Sequence, residues 1–186
     1  DLKSEKEKDL KIVFSGIHGT GSTLVPPVLK KFGFENVTQV EEQIEPDGNF
    51  PTVVYPNPEE AEALSLALKK AEEIDADLVM ATDPDSDRVG IAVKNDKGAF
   101  QLMNGNQTGS LLLYYLLRKW QENGKLTGKE YVVKTIVTTD LISRIAEKYD
   151  VTLYNTLTGF KYIAEVIRDL EGKEQFIGGG EESYGY

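Results

Sequence analysis

Along the chain, short runs dense in Val, Ile and Leu alternate with stretches whose apolar residues recur every three to four positions. Lys11–Ser15, Asp77–Ala81, Val89–Val93, Tyr131–Thr138, Val151–Tyr154 and Gln175–Ile177 read as strands. Several are continuously apolar, the pattern of strands covered on both faces. Between them lie helical patterns. Glu59–Ile74 places Ala61, Leu64, Leu68 and Ala71 on one stripe. Leu141–Tyr149 groups Leu141, Ile142, Ile145 and Tyr149, with Asp140 as the expected N-cap. Phe160–Leu170 aligns Phe160, Ile163, Ile167 and Leu170, and Thr108–Trp120, apolar nearly all round, predicts a buried helix.

This alternation predicts βαβ units and an α/β fold of two mixed, mostly parallel layers. The turn chemistry of Leu102-Met103-Asn104-Gly105-Asn106 puts the break near Gly105, dividing the chain into 9–105 and 106–186. Residues 1–8 read as a linker or the tail of a preceding domain. The last residues follow a Gly-rich loop with no closing helix after it, so the second unit reads as C-terminally truncated and the chain as part of a longer protein. Tyr184–Tyr186 are expected to be mobile.

Charge narrows the partners. Lys and Arg number 21 against 31 Asp and Glu, a net charge of −10, which argues against nonspecific binding to nucleic acid or an anionic membrane. There are no cysteines, hence no disulfide framework and no thiolate chemistry. No apolar run approaches a membrane span and the charged N-terminus has no signal-peptide core. A soluble, cytoplasmic protein is the expectation.

The most informative stretch is Thr82-Asp83-Pro84-Asp85-Ser86-Asp87-Arg88, between two strands. Carboxylates at every second position of an extended loop can turn toward one point, which suits a hard divalent cation such as Mg²⁺. Pro84 fixes one φ and Ser86 is small enough for a tight wrap. A solvated acidic turn is the plainer alternative. An EF-hand fails, because Arg88 stands at the sixth position where Gly is needed and Lys94 at the twelfth where Glu is needed.

Three more loops follow strands. Gly16-Ile17-His18-Gly19-Thr20-Gly21-Ser22 can aim backbone N–H groups at an anion and carries the chain's 1 histidine, which is either functional or structural. As a dinucleotide fingerprint it fails, with Leu24 where a third Gly belongs. Leu157-Thr158-Gly159-Phe160-Lys161 offers a capping Thr158, free first-turn N–H groups and a cation for phosphate, or else a plain αβ connection with a surface lysine. Gly178-Gly179-Gly180-Glu181-Glu182-Ser183 places a carboxylate and a hydroxyl two residues apart, a natural reader of vicinal sugar hydroxyls. Loops at the carboxyl ends of parallel strands are where ligands bind in open α/β sheets.

D-P-D-S-D-R, T-G-F-K and G-E-E-S, in this order and at these separations, resemble the α-D-phosphohexomutases, the phosphoglucomutases and phosphomannomutases. His18-Gly19, Pro46-Asp47-Gly48-Asn49-Phe50-Pro51 and Asn57-Pro58-Glu59 also look like that family's second domain. The resemblance covers nearly the whole chain; each motif is weak alone, and the ordered set is strong. It implies a four-domain enzyme, of which this chain carries the second domain and most of the third, without the first and the phosphate-clamping fourth. It implies Mg²⁺ on Asp83, Asp85 and Asp87, with a phosphoserine of the first domain as the remaining ligand. That phosphoserine phosphorylates the sugar, and a sugar bisphosphate of the glucose 1,6-bisphosphate type reorients before the other phosphate returns. Arg88 would bind near the transferring group, with His18 and Lys161 as further catalytic candidates. Thr158 and Gly159 would help hold the substrate, and Glu181 and Ser183 its ring hydroxyls.

Two departures bear on the substrate. Pro84 and Ser86 stand where many members have glycines, and Ser183-Tyr184-Gly185 lacks the histidine that some carry. Both look like the phosphoglucomutase branch that includes phosphopentomutases. A pentose phosphate substrate and a noncatalytic sugar-phosphate-binding module are the alternatives, and the chain alone is expected to be inactive.

Overall fold

A computed structural model of the chain describes residues 8–186. The residues expected to form a leading linker or tail lie outside it, apart from Lys8. Two compact units part between Met103 and Asn104, and each is an α/β layer of its own.

In the first unit β1 (Ile12–Ser15) is buried along its whole length. It pairs in parallel with β2 (Val37–Gln39) and β3 (Leu78–Thr82). The chain then reverses. β4 (Val89–Lys94) runs antiparallel to β3, and β5 (Phe100–Met103) antiparallel to β4, giving the order β2-β1-β3-β4-β5. Helix α1 (Gly21–Lys31) follows β1, and α2 (Ser65–Glu73) precedes β3. Ala63, Leu64, Ala67 and Ala71 pack on Val13, Val79, Ala81 and Ala92. The small side chains bring the helix backbone close to the sheet. The buried stripe therefore runs through Ala63, Ala67 and Ala71, and Ala61 is exposed. The helix starts only at Ser65; of the expected stripe, Leu64 and Ala71 are buried and Leu68 packs against the same core, and only Ala61 falls outside it.

The second unit is a purely parallel sheet, order β7-β6-β8, built from β6 (Glu130–Thr135), β7 (Thr152–Thr156) and β8 (Gln175–Gly180). Helices α3 (Gly105–Glu122) and α4 (Leu141–Lys148) share one core with Val132 and Leu153. Helix α5 (Phe160–Leu170) packs through Ile163 on Tyr131 and Val133 in another. With four parallel strand pairs and two antiparallel, the fold is mixed and mostly parallel.

Several local expectations change. Asn104 caps α3 in a reciprocal capping box with Gln107, so Gly105 and Asn106 form its first turn and belong to the second unit. Thr108–Trp120 is not buried all round: Leu111 and Tyr115 are more than half exposed. Asp140 stands at the N-cap of α4 without a capping bond; Thr139 Oγ1 accepts the Leu141 amide instead. Leu141 and Phe160 are exposed, although both lie on expected stripes. β6 ends at Thr135, and the next residues turn back, the Thr138 amide bonding the Thr135 carbonyl.

Candidate functional site

The acidic loop is the hairpin connection from β3 to β4, closed by the Thr82–Val89 pair. Ser86 takes φ +64°, and its amide bonds the Asp83 carbonyl. That left-handed residue folds the loop back on itself. Asp83, Asp85 and Asp87 each offer a carboxylate oxygen within 4.8 Å of the others. Asp83 is buried, while Asp85 and Asp87 are exposed. Burial pushes the Asp83 carboxyl up to about 6, and the neighbouring Asp87 and Asp85 add to the rise against the bond it accepts from the Arg88 amide. An all-oxygen, triply anionic donor set of this spread suits an octahedral Mg²⁺, whose opposite ligand oxygens stand about 4.2 Å apart. The side chains therefore need only small adjustments, and the site fits the metal.

Arg88 lies over this cluster, Nε 3.8 Å from Asp83 and 3.9 Å from Asp87, with Nη1 3.5 Å from Glu59. Its guanidinium is partly exposed and held from two sides, a geometry that leaves donors for a phosphate.

The loop Gly16–Ser22 braces the acidic loop. The Thr20 amide donates to the Pro84 carbonyl at 2.9 Å, and Thr20 Oγ1 lies 3.3 Å from Ser86 Oγ. A Cβ on Gly19 would stand 2.2 Å from the Pro84 Cα, so only glycine permits this approach. The amides of His18, Gly19 and Thr20 are all bonded to protein carbonyls. Those three are spent on the fold and do not face an anion. His18 is buried at φ +58°, with Nε2 2.8 Å from Thr52 Oγ1 and Nδ1 3.4 Å from the Glu45 carbonyl. Its neighbours include the buried Gln43, which also bonds Thr52 and Ser15.

In the second unit the structure brings together Gly159, Glu181 and Ser183. The amide of Gly159 (φ +122°) donates to Glu181 Oε1, and Ser183 Oγ lies 3.4 Å from Oε2. Glu181 is buried, with its amide bonded to the Gly185 carbonyl. Thr158 does not cap α5, because Gly159 holds the N-cap position. Lys161 is exposed with Nζ 4.8 Å above the Tyr162 ring, outside that cluster. Tyr184 and Gly185 are buried, and the Tyr186 hydroxyl donates to the Gly105 carbonyl; the mobility expected of Tyr184–Tyr186 gives way to a packed loop.

Two groups escape a reading of the sequence. Lys134, in the centre of β6, is 2% exposed, and its ammonium donates to the Thr138 carbonyl at 2.9 Å. The available signal is a lysine inside a continuously apolar run. Glu59 partners Arg88 from 29 residues away, and no local pattern announces that. An apolar cavity of about 820 Å³ opens along β8, walled by Leu112, Leu116, Phe160 and Ile167. Glu181 and Ser183 are not among its walls, and so apolar a surface does not recognise a sugar phosphate.

Comparison with known proteins identifies the family. Residues 1–98 match the family model of phosphoglucomutase/phosphomannomutase, alpha/beta/alpha domain II, and residues 104–186 match that of domain III. The chain belongs to the phosphoglucomutase/phosphomannomutase family. It is 42% identical over 180 residues to a phosphoglucomutase of Staphylococcus haemolyticus (strain JCSC1435), covering 97% of this chain and 32% of that protein. It thus spans about a third of the length of the curated relatives it matches. Among solved structures, a putative phosphomannomutase from Thermus thermophilus superposes with TM-score 0.74 at 28% identity, over 99% of this chain and 38% of that one. An N-acetylphosphoglucosamine mutase of Aspergillus fumigatus, solved in complex with GlcNAc-6P and magnesium, shares the fold at TM-score 0.62 and 15% identity, over 95% and 36% of the two chains.

Proposed function

We propose that this chain supplies the metal-holding and sugar-reading central part of a phosphohexomutase that interconverts hexose 1-phosphates and 6-phosphates, with glucose phosphate as the leading substrate. The observation that carries this reading is the convergence of Asp83, Asp85 and Asp87 on one point at the end of β3. Family membership and the phosphoglucomutase relatives support it.

Asp83, Asp85 and Asp87 would hold Mg²⁺, and the ion would neutralise charge on the oxygens of the transferring phosphoryl group. The remaining ligand and phosphoryl donor in this reading is a phosphoserine outside the chain. The phosphoryl group passes from the serine oxygen to a free sugar hydroxyl, giving a sugar 1,6-bisphosphate. After the sugar turns over, the other phosphoryl group returns to the serine. Arg88, anchored by Glu59, donates to phosphate oxygens. Gly159 orients the Glu181 carboxylate, whose remaining lone pairs accept from sugar hydroxyls, and the Ser183 hydroxyl stands beside it. A carboxylate accepting from two hydroxyls suits both orientations of a sugar that must react at either end. His18 enters as the support of the loop that braces Pro84, and Lys161 as an exposed cation free to meet a phosphate. Thr158 would add its hydroxyl beside the substrate.

No helix among the described residues is long and apolar enough to cross a membrane. A cytoplasmic setting is part of the proposal, because a doubly charged sugar phosphate stays in the compartment where it is made.

The test uses a polypeptide that joins this chain to the flanking two thirds found in its relatives. Glucose, mannose and ribose 1-phosphates are offered with Mg²⁺ and a trace of glucose 1,6-bisphosphate. We expect hexose 6-phosphate from the first two, and no turnover by the 186-residue chain alone. Preference for ribose 1-phosphate would make the enzyme a phosphopentomutase. Turnover of none of the three would refute the reading, and turnover by the isolated chain would refute its dependence on a serine outside it.

A further inference from the structure

Glu182 stands between Glu181 and Ser183 but reaches different partners. Its Oε2 accepts from Thr138 Oγ1 at 3.0 Å and from Thr135 Oγ1 at 3.3 Å. Its own amide donates back to Thr138 Oγ1 at 3.3 Å. The two threonine hydroxyls are 2.7 Å apart. The proton count closes: Thr138 gives its proton to Glu182 and accepts from the Glu182 amide, while Thr135 is shared between Thr138 and the carboxylate.

The turn that carries Thr138 is itself fixed, since the buried Lys134 ammonium bonds the Thr138 carbonyl. On the other side the loop rests on the first turn of α3, where a Cβ on Gly105 would lie 1.7 Å from the Glu182 carbonyl oxygen. Glycines flank the loop at Gly178–Gly180 and Gly185, and glycine chains lose much conformational freedom on ordering. A loop of that composition needs an anchor if two of its side chains are to keep one geometry.

We propose that Glu182 is a positioning residue. Its carboxylate, clamped by Thr135 and Thr138, holds the Glu181–Ser183 pair in register with the sugar and so sets substrate affinity without touching substrate. The assignment rests on the reading of Glu181 and Ser183 given under Proposed function.

The experiment compares Glu182→Ala, Glu182→Gln, Thr138→Val and the Thr138→Val/Glu182→Ala double variant in the full-length polypeptide, with Glu181→Ala as reference. KM and kcat for glucose 1-phosphate and the melting temperature are measured for each. Glu182→Ala should raise KM about tenfold with kcat within about threefold of wild type, the signature of lost uniform binding. Glu182→Gln keeps an acceptor for Thr138 and should recover most of the loss. Thr138→Val should raise KM similarly, and the double variant should be no worse than the poorer single, because both remove one interaction. A KM for Glu182→Ala within twofold of wild type, whatever the melting temperature, overturns the proposal. So does a glutamine variant as impaired as the alanine one, or a double variant whose losses multiply. A silent Glu181→Ala sinks the sugar reading and this assignment with it. A silent Glu182→Ala beside an impaired Glu181→Ala sinks this assignment alone.

Discussion

Asp83 carries opposing demands. It is buried at the end of a core strand, beside two other carboxylates, and it accepts the Arg88 amide. With its carboxyl pushed up to about 6 from an ordinary 3.8, the folded chain holds this proton more tightly than the unfolded chain. Its contribution to stability is therefore full below the ordinary value and lost as pH rises through about 6. In metal-free solution the melting temperature should fall between about pH 4 and 7, and Asp83→Asn should remove that part of the fall. Millimolar Mg²⁺ should restore wild type at pH 7 and leave the variant unmoved. Identical pH curves for the two proteins would show that Asp83 bears no such load. The every-second-residue spacing of the carboxylates was legible in the sequence, although a turn with Ser86 at positive φ, and not an extended loop, is what gathers them. What braces them was not: Glu59 on Arg88 and Gly19 on Pro84 are meetings that only the folded sheet creates.

At the scale of elements, the long apolar strands and amphipathic helices could be read, and the weak ones could not. β2 is three residues long, and β5 lies where turn chemistry begins, so neither carries a periodic signal. Helix α1, toward which the Gly-rich turn Gly16–Ser22 leads, forms although Pro26 and Pro27 lack the N–H groups for the Ser22 and Thr23 carbonyls. Tertiary packing overrides both. The start of β6 depends on one buried acid. Burial alone would raise Glu130, but bonds from the Thr127 hydroxyl and the amides of Thr127, Gly128 and Lys129 outweigh it and hold it at about 2. Because this acid is lowered on folding, its contribution is present above its ordinary 4.5 and disappears as pH falls toward 2. Glu130→Gln should lower the melting temperature at pH 7 by about 5 °C and flatten the acid limb between pH 4.5 and 2. An unchanged acid limb would show that the turn Thr127–Lys129 does not depend on the charge.

Over the whole molecule, a net charge of −10 is compatible with the anionic substrate we propose because the cations offered to it are local. Arg88 lies at the acidic loop and Lys161 at the start of α5. Order carries the identity of the chain better than any one motif does. Acidic loop, T-G-F-K and G-E-E-S each follow a strand, and family domains II and III match in that order at residues 1–98 and 104–186. The claim at the centre of this reading is that the three aspartates hold the metal that phosphoryl transfer requires. Its most direct test is the Mg²⁺ dependence of glucose 1-phosphate turnover by the full-length polypeptide, wild type against Asp85→Asn. Asp85 is exposed, so the substitution should leave the melting temperature nearly unchanged while kcat falls about a hundredfold or more and the Mg²⁺ response is lost. An Asp85→Asn enzyme that keeps both its turnover and its Mg²⁺ dependence would contradict the account.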